Sequence, residues 1–167
     1  MTLTLILMRH AKSGWGDPAS ADHDRTLTER GHRAARAVGR WLREAGHVPE
    51  LILTSDAVRT VQTVAGLTET LSSAPPVTHR RALYHAAPHA ILQQIATVQD
   101  ARCLLVCGHN PGIGGLAQRM AISPPDHARF DDYPTAATTV IACDAADWSA
   151  PRPGRCLAFV TPADIGD

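Results

Sequence analysis

The residues best suited to chemistry on an anion lie where three apolar runs end. Thr2-Leu-Thr-Leu-Ile-Leu-Met8 passes directly into Arg9-His10-Ala11-Lys12-Ser13. A guanidinium can grip two phosphate oxygens at once, and a neutral imidazole nitrogen is a competent nucleophile near neutral pH. Leu51-Ile-Leu53 leads through Thr54-Ser55 to Arg59, expected in the first turn of a helix and away from its apolar side. The helix dipole opposes a cation there by a few tenths of a kcal/mol, roughly, so a ligand is one reason to keep it. Cys103-Leu-Leu-Val-Cys107 runs into Gly108-His109-Asn110-Pro111-Gly112, which reads as a strand, a Gly-rich turn, an Asn110 cap and Pro111 at the first helical position. Such a turn presents backbone N–H groups and a positive helix end, both favourable to phosphate. Each piece also has an ordinary reading as an exposed cation or a plain cap; their shared position after strands is what points to one ligand.

The elements that must position these residues follow from the hydrophobic pattern. Strands are expected at 2–8, 51–53 and 103–107, with further strands at 137–143 and 156–161. Thr28 is a suitable N-cap for a helix that buries Ala34, Val38, Trp41, Leu42 and Ala45 and stops at Gly46. A second helix, capped by Ser55 or Asp56, carries Val58, Val61, Ala65, Leu67 and Leu71 broadly on one side. After a loop and a brief strand between Pro75 and Tyr84, a third starts at Pro88 with Ile91, Leu92, Ile95 and Val98 inward. The fourth contains Leu116, Ala117 and Met120. Strands and helices alternate to about residue 121, the sign of a mostly parallel central sheet with helices on both faces, a three-layer α/β sandwich. No helix separates the last two strands, so they should pair antiparallel at one edge. The 167 residues suit a single domain, 1–167.

Composition excludes several functions. Sixteen basic and sixteen acidic residues cancel, which gives no support to a nucleic-acid partner. Arg33, Arg36, Arg40 and Arg43 form a stripe flanked by Glu29 and Glu44 without interleaved aromatics, and they read as a solvated helix face. Lys12 is the sole lysine and fits neither a P-loop nor a Tyr-x-x-x-Lys dehydrogenase, although Gly108-x-x-x-Gly112-x-Gly114 copies a dehydrogenase turn. Cys103, Cys107, Cys143 and Cys156 lack the close pairing of a zinc or redox site; the first two would sit on one strand face about 13 Å apart, too far to bridge. They read as reduced core residues of a cytoplasmic protein. His85 and His89 have helical metal-pair spacing, but Pro88 should start the helix after His85, so no metal is expected. No run approaches a membrane span, and the first lacks the form of a signal peptide.

Taken together, the segments resemble the histidine phosphatase (phosphoglycerate mutase-like) superfamily and, within it, the SixA-type phosphohistidine phosphatase branch. The resemblance rests on Met8-Arg9-His10-Ala11-Lys12-Ser13, Arg25-x-Leu27-Thr28-x-x-Gly31 and Leu51-Ile-Leu-Thr-Ser55-x-x-x-Arg59-Thr60-x-x-Thr63, followed by Leu83-Tyr84-x-Ala86, Gly108-His109-Asn110-Pro111-Gly112 and Pro134-Thr135-Ala136. It covers nearly the whole chain and implies the phosphoglycerate mutase-like fold. It also implies that His10 accepts a phosphoryl group to form a phosphohistidine intermediate that water then hydrolyses. Arg9, Arg59 and His109 would surround the phosphate, and Ser13 would add a hydrogen bond. No cofactor or metal is implied, because fixed cations meet the demand of phosphoryl transfer for charge stabilisation. His10 must be neutral on its reacting nitrogen, with its other N–H held by a backbone carbonyl, while His109 would be at least partly protonated.

The sequence departs from the wider superfamily at Ala11, where glycine is usual, and around Leu83-Tyr84-His85, which lacks the glutamate that mutases and many acid phosphatases use as proton donor. Expelling an alkoxide needs an acid; a ring protonated near neutrality leaves as a neutral imidazole with less help. That favours a phosphohistidine-bearing protein as substrate, with His85, Asp17 or Asp24 as candidate donors. The runner-up is a small-molecule phosphomonoesterase of the same superfamily. A non-catalytic phosphate-binding module would keep Arg9, Arg59 and His109 but would have no need of His10. The oligomeric state is not legible.

Overall fold

A computed structural model describes residues 2–167. Strands β1 (Thr2–Arg9), β2 (Leu51–Ser55), β3 (Val77–Arg80), β4 (Cys103–Gly108), β5 (Thr138–Asp144) and β6 (Arg155–Val160) form one sheet in the order β3-β2-β4-β1-β5-β6. The neighbours β3-β2, β2-β4 and β4-β1 pair parallel, whereas β5 runs antiparallel to both β1 and β6. The last two strands therefore form the antiparallel edge expected of two strands with no helix between them.

Helices α1 (Glu29–Glu44) and α2 (Val58–Thr70) cover one face, while α3 (Pro88–Ile95) and α4 (Gly112–Met120) cover the other. Strand alternation feeds both cores. Leu3, Leu5 and Leu7 of β1 pack with Ile91, Ile95, Ile113 and Leu116; Ile6 and Met8 pack with Val38, Leu42, Val64 and Leu67. Among the described residues no helix is long and apolar enough to cross a membrane. All four cysteines are free, and burial pushes the thiols of Cys103 and Cys107 up to about 12, which keeps them protonated.

Thr28 caps α1 by accepting from Gly31 N at 3.1 Å, as expected. The inner face of α1 is Ala34, Ala35, Val38 and Leu42; Trp41 is only half-buried and Ala45 is exposed, because the helix ends as the chain turns away at Gly46. On α2 the expected apolar side is rotated. Thr60, Thr63, Val64 and Leu67 are buried, Val58 and Val61 are half-buried, and Ala65 is exposed. Buried threonines are tolerated there because Thr60 and Thr63 return their hydroxyl protons to backbone carbonyls at 2.7–2.8 Å. Neither Ser55 nor Asp56 is the N-cap; that position is Ala57, whose N–H donates to Ser55 Oγ at 3.2 Å.

The start of α4 also differs from expectation. Pro111 occupies the N-cap position, after a cis Asn110-Pro111 bond, and the helix begins at Gly112. Asn110 still satisfies a first-turn donor by accepting from Gly114 N at 3.2 Å. Gly112 is held close to the segment before α3: a Cβ there would meet the Ala86 carbonyl oxygen at 1.8 Å.

Candidate active site

The carboxyl ends of the neighbouring strands β1, β4 and β2 supply the expected residues, where ligands bind in open α/β sheets. His10 lies one residue beyond β1 and continues its ladder: its N–H donates to Gly108 O at 3.0 Å, and its carbonyl accepts from Ala136 N at 2.9 Å. His109 lies one residue beyond β4, and the register that opposes Arg9 to Gly108 brings the two histidines side by side. Their ring centroids are 5.4 Å apart. Arg59 comes from the first turn of α2 and is 2% exposed, so it is not the surface cation that its position on a helix would ordinarily give.

His10 is buried, and its Nδ1–H donates to Ala11 O at 2.7 Å. The lone pair is therefore on Nε2. Burial, together with Arg9, Arg59 and Arg25, pulls the His10 ring down to about 4. It is neutral at physiological pH, as a nucleophile must be.

His109 departs from expectation. Burial, reinforced by His10 and Arg59, pulls it down to about 3, so without an anion it is a neutral ring rather than a cation. Its Nε2 lies 2.9 Å from Ser55 Oγ. Ser55 Oγ accepts from Ala57 N, and when it turns its own proton to His109 Nε2 the ring proton lies on Nδ1.

Three buried nitrogens here have no hydrogen-bond partner: Arg9 Nε, Arg59 Nε and His109 Nδ1. Buried polar groups are almost always paired, so three unpartnered nitrogens beside the His10 ring, two of them guanidinium donors, suit an acceptor-rich group. Charge agrees with geometry. Desolvation and the nearby Arg59 both lower the Arg9 pKa, which marks a site with surplus positive charge.

Ser13 is buried near the site, and its Oγ accepts from Arg25 Nη2 at 2.9 Å. Of the suggested donors, Asp17 bonds its own loop through Ala19 N, and Asp24 is an exposed neighbour of His23 at 3.7 Å. Neither contacts Arg59, His109 or His10. His85 does belong to the site, with Nε2 3.2 Å from Arg59 Nη2 and its ring 5.0 Å from that of His109.

Four residues of the site were given no role by the sequence reading, although Arg25 and Tyr84 stand in its motifs. Asp22 takes both terminal nitrogens of Arg59, Nη1 on its carbonyl at 2.7 Å and Nη2 on Oδ2 at 3.0 Å. The same Oδ2 accepts from Tyr84 OH at 2.5 Å, and Oδ1 accepts from Arg25 Nη1 at 3.1 Å. These donors hold the Asp22 carboxyl far below the usual carboxylate range. Tyr133, with φ +47, offers its carbonyl to Arg9 Nη1 at 3.2 Å and to Asn110 Nδ2 at 2.9 Å. Asp22 and Arg25 lie between the first expected strand and the first expected helix, where hydrophobic periodicity gives no signal. The signal for the tyrosines was scarcity, since the chain has only these two.

Known proteins extend the picture. The profile of the histidine phosphatase superfamily (branch 1) matches residues 5–85. The uncharacterized protein Rv1276c of Mycobacterium tuberculosis is 40% identical over 159 residues, covering 92% of this chain and 96% of that protein. Among solved structures, a SixA from Nakamurella multipartitia superposes with a TM-score of 0.79 at 32% identity, covering 97% of each chain. A SixA complexed with tungstate shares the fold at a TM-score of 0.78 and 20% identity, over 98% of this chain and 99% of that one. The chain thus belongs to the histidine phosphatase superfamily, in its SixA-type branch, and has the fold of a phosphatase-family hydrolase.

Proposed function

We propose that this protein is a metal-independent phosphohistidine phosphatase that works through a covalent phosphohistidine on His10. The observation that carries the reading is the set of partnerless buried donors, Arg9 Nε, Arg59 Nε and His109 Nδ1, beside a neutral His10 ring with its lone pair on Nε2. A phosphoryl group seated on these donors presents phosphorus to Nε2, and the fixed cations take up the charge of its equatorial oxygens. His10 Nε2 forms the N–P bond as the bond to the leaving group breaks. Water then attacks phosphorus, and His10 is released with inorganic phosphate.

A bound dianion reverses the electrostatics at His109. The same ring that burial, with His10 and Arg59, keeps neutral gains a stabilising partner, and its Nδ1–H donates to phosphate. SixA proteins are the relatives that suggest phosphohistidine on a protein as the substrate class; the cytoplasm is proposed as the place of action on the four free cysteines.

The test is to incubate the protein with labelled phosphohistidine-bearing phosphotransfer protein and quench rapidly. Label should appear on the wild type as an alkali-stable, acid-labile bond and be absent from His10→Ala. A side-by-side panel of sugar and serine phosphates settles substrate class: turnover of those esters equal to that of phosphohistidine would assign a small-molecule phosphomonoesterase instead.

A further inference from the structure

The reaction proposed above leaves one group unassigned, the acid that protonates the departing atom. We infer that His85, set between Asp22 and Arg59, is that proton donor. The inference rests on the proposed phosphoryl transfer to His10 and adds to it a residue, a direction of proton flow and a dependence on the leaving group.

The placement of His85 is specific. Its backbone has φ +52, the left-handed region that non-glycine residues seldom occupy, immediately before the approach to α3. That conformation sends the ring back over the site. It stacks on Tyr84 with centroids 4.1 Å apart and an interplanar angle of 21°, and it stands edge-on to His109 at 5.0 Å. Backbone in this region persists only where its surroundings impose it, and such residues gather at functional sites. The close approach of Gly112 to Ala86 O ties the segment after His85 to the helix that follows His109.

The surroundings of Nε2 suit a group that must gain and lose a proton. Arg59 Nη2 lies 3.2 Å away and can only donate, so it pairs with an unprotonated Nε2. Asp22 Oδ2 lies 3.4 Å away and can only accept while ionised, so it pairs with a protonated one. Either protonation state therefore has a partner in reach. The His85 side chain is also 52% exposed, whereas His10 and His109 are 7% and 3% exposed as residues, so it alone of the three rings can exchange protons freely with solvent.

The other titratable groups facing this ring are accounted for. His10 and His109 are held neutral, Asp22 is held ionised, and the Tyr84 proton is committed to Asp22, which with burial raises the Tyr84 pKa. Beyond Tyr84, His23 contacts that ring at 4.9 Å, Arg81 lies 5.4 Å from its centre, and Asp56 pairs with His23 at 2.8 Å.

In the first half-reaction the His10 Nε2 lone pair forms the bond to phosphorus. The pair of the breaking bond goes to the leaving atom: a leaving oxygen takes the Nε2 proton of His85, whereas an imidazole already protonated on its other nitrogen departs neutral without it. In the second half, a water oxygen bonds to phosphorus and passes a proton to the now neutral His85. The P–N pair returns to His10, and both histidines are restored. Asp22 acts as a positioning residue, its Oδ2 3.4 Å from His85 Nε2.

The test is His85→Asn, chosen because asparagine tolerates left-handed backbone. kcat/KM, which reports phosphoryl transfer to His10, is measured across phosphate esters of graded leaving-group basicity. A lost general acid costs about 10² to 10⁴-fold where the leaving group is an alkoxide. The expected loss is thus at least about 100-fold for alkyl phosphates and under about 10-fold for p-nitrophenyl phosphate. The alkaline limb of the wild-type pH profile should disappear in His85→Asn, and the leaving-group dependence of Asp22→Asn should lie between those of wild type and His85→Asn. An equal loss across the series, no loss, or an unchanged alkaline limb overturns the assignment. If the wild type traps no phosphate on His10, the proposed function fails; if it traps phosphate but the leaving-group dependence of His85→Asn matches wild type, only this inference fails.

Discussion

His10 donates its Nδ1–H to the carbonyl of Ala11 at 2.7 Å, the residue that follows it in the chain. This short local bond settles which nitrogen can react. The backbone of Ala11 is itself fixed from a distance, because its N–H donates to Thr63 Oγ1 of α2 at 3.0 Å. The orientation of the His10 ring and the position of Arg59, one turn earlier on α2, are therefore coupled through one helix.

The two site histidines should titrate far below an ordinary histidine. Ring-resolved NMR of the ligand-free protein is expected to give midpoints of about 4 for His10 and about 3 for His109. Unfolded histidines titrate near ~6.5, so below that pH the unfolded chain binds protons that the native state refuses. Stability attributable to these rings therefore falls as pH drops from about 6.5 toward 4. A His10 midpoint at or above 6 contradicts the burial argument.

Arg59→Lys keeps the charge but loses the planar fork. Lysine cannot reach Asp22 O, Asp22 Oδ2 and an anion together, as the guanidinium can through Nη1, Nη2 and Nε. The expected loss in kcat/KM is on the order of 10² to 10³-fold, the magnitude for removing a preorganised donor to developing charge. Steady-state kinetics on a phosphohistidine substrate, with a melt to verify folding, decides it.

Asp22→Asn should blunt acid denaturation. The native Asp22 carboxyl is depressed below its unfolded value of about 3.9. Its ionised form stabilises the fold above that value, and the contribution is lost as pH falls through the native pKa. Thermal melts between pH 5 and 2 should show the wild type losing more than the variant over the acidic part of the range. Parallel curves would mean that the carboxylate is energetically idle.

Gly112→Ala places a methyl 1.8 Å from Ala86 O, backbone against backbone, where no side-chain rotation relieves the clash. Urea unfolding should show a loss of about 1–3 kcal/mol, the usual cost of overpacking. A change below about 0.5 kcal/mol would mean that the two segments separate freely.

Strand runs and cap residues were the most legible features. The seven apolar or β-branched positions 2–8 before Arg9, a threonine three residues ahead of Gly31 and a proline at 88 act within one or two turns of chain, so their outcome can be read locally. The inner face of α2 was misread because threonine counts as polar until its hydroxyl is seen bonded to the helix backbone. The cap at Asn110 was misplaced for a similar reason: its side chain serves both Gly114 and the distant Tyr133.

Sequence alone determined the chemical alphabet of the site, namely Arg9, His10, Arg59 and His109, and the alternation that makes an α/β sheet, because these depend on residue type and spacing along the chain. Tertiary structure decided the strand order that puts β4 between β1 and β2, and the neutral state of His109. It also brought Asp22, Tyr84 and His85 onto Arg59. The physical reason is that desolvation and Coulomb coupling depend on distances through space, and residues far apart in the chain, such as Asp22 with Tyr84 and Arg9 with Tyr133, meet here in hydrogen bonds that no local pattern encodes.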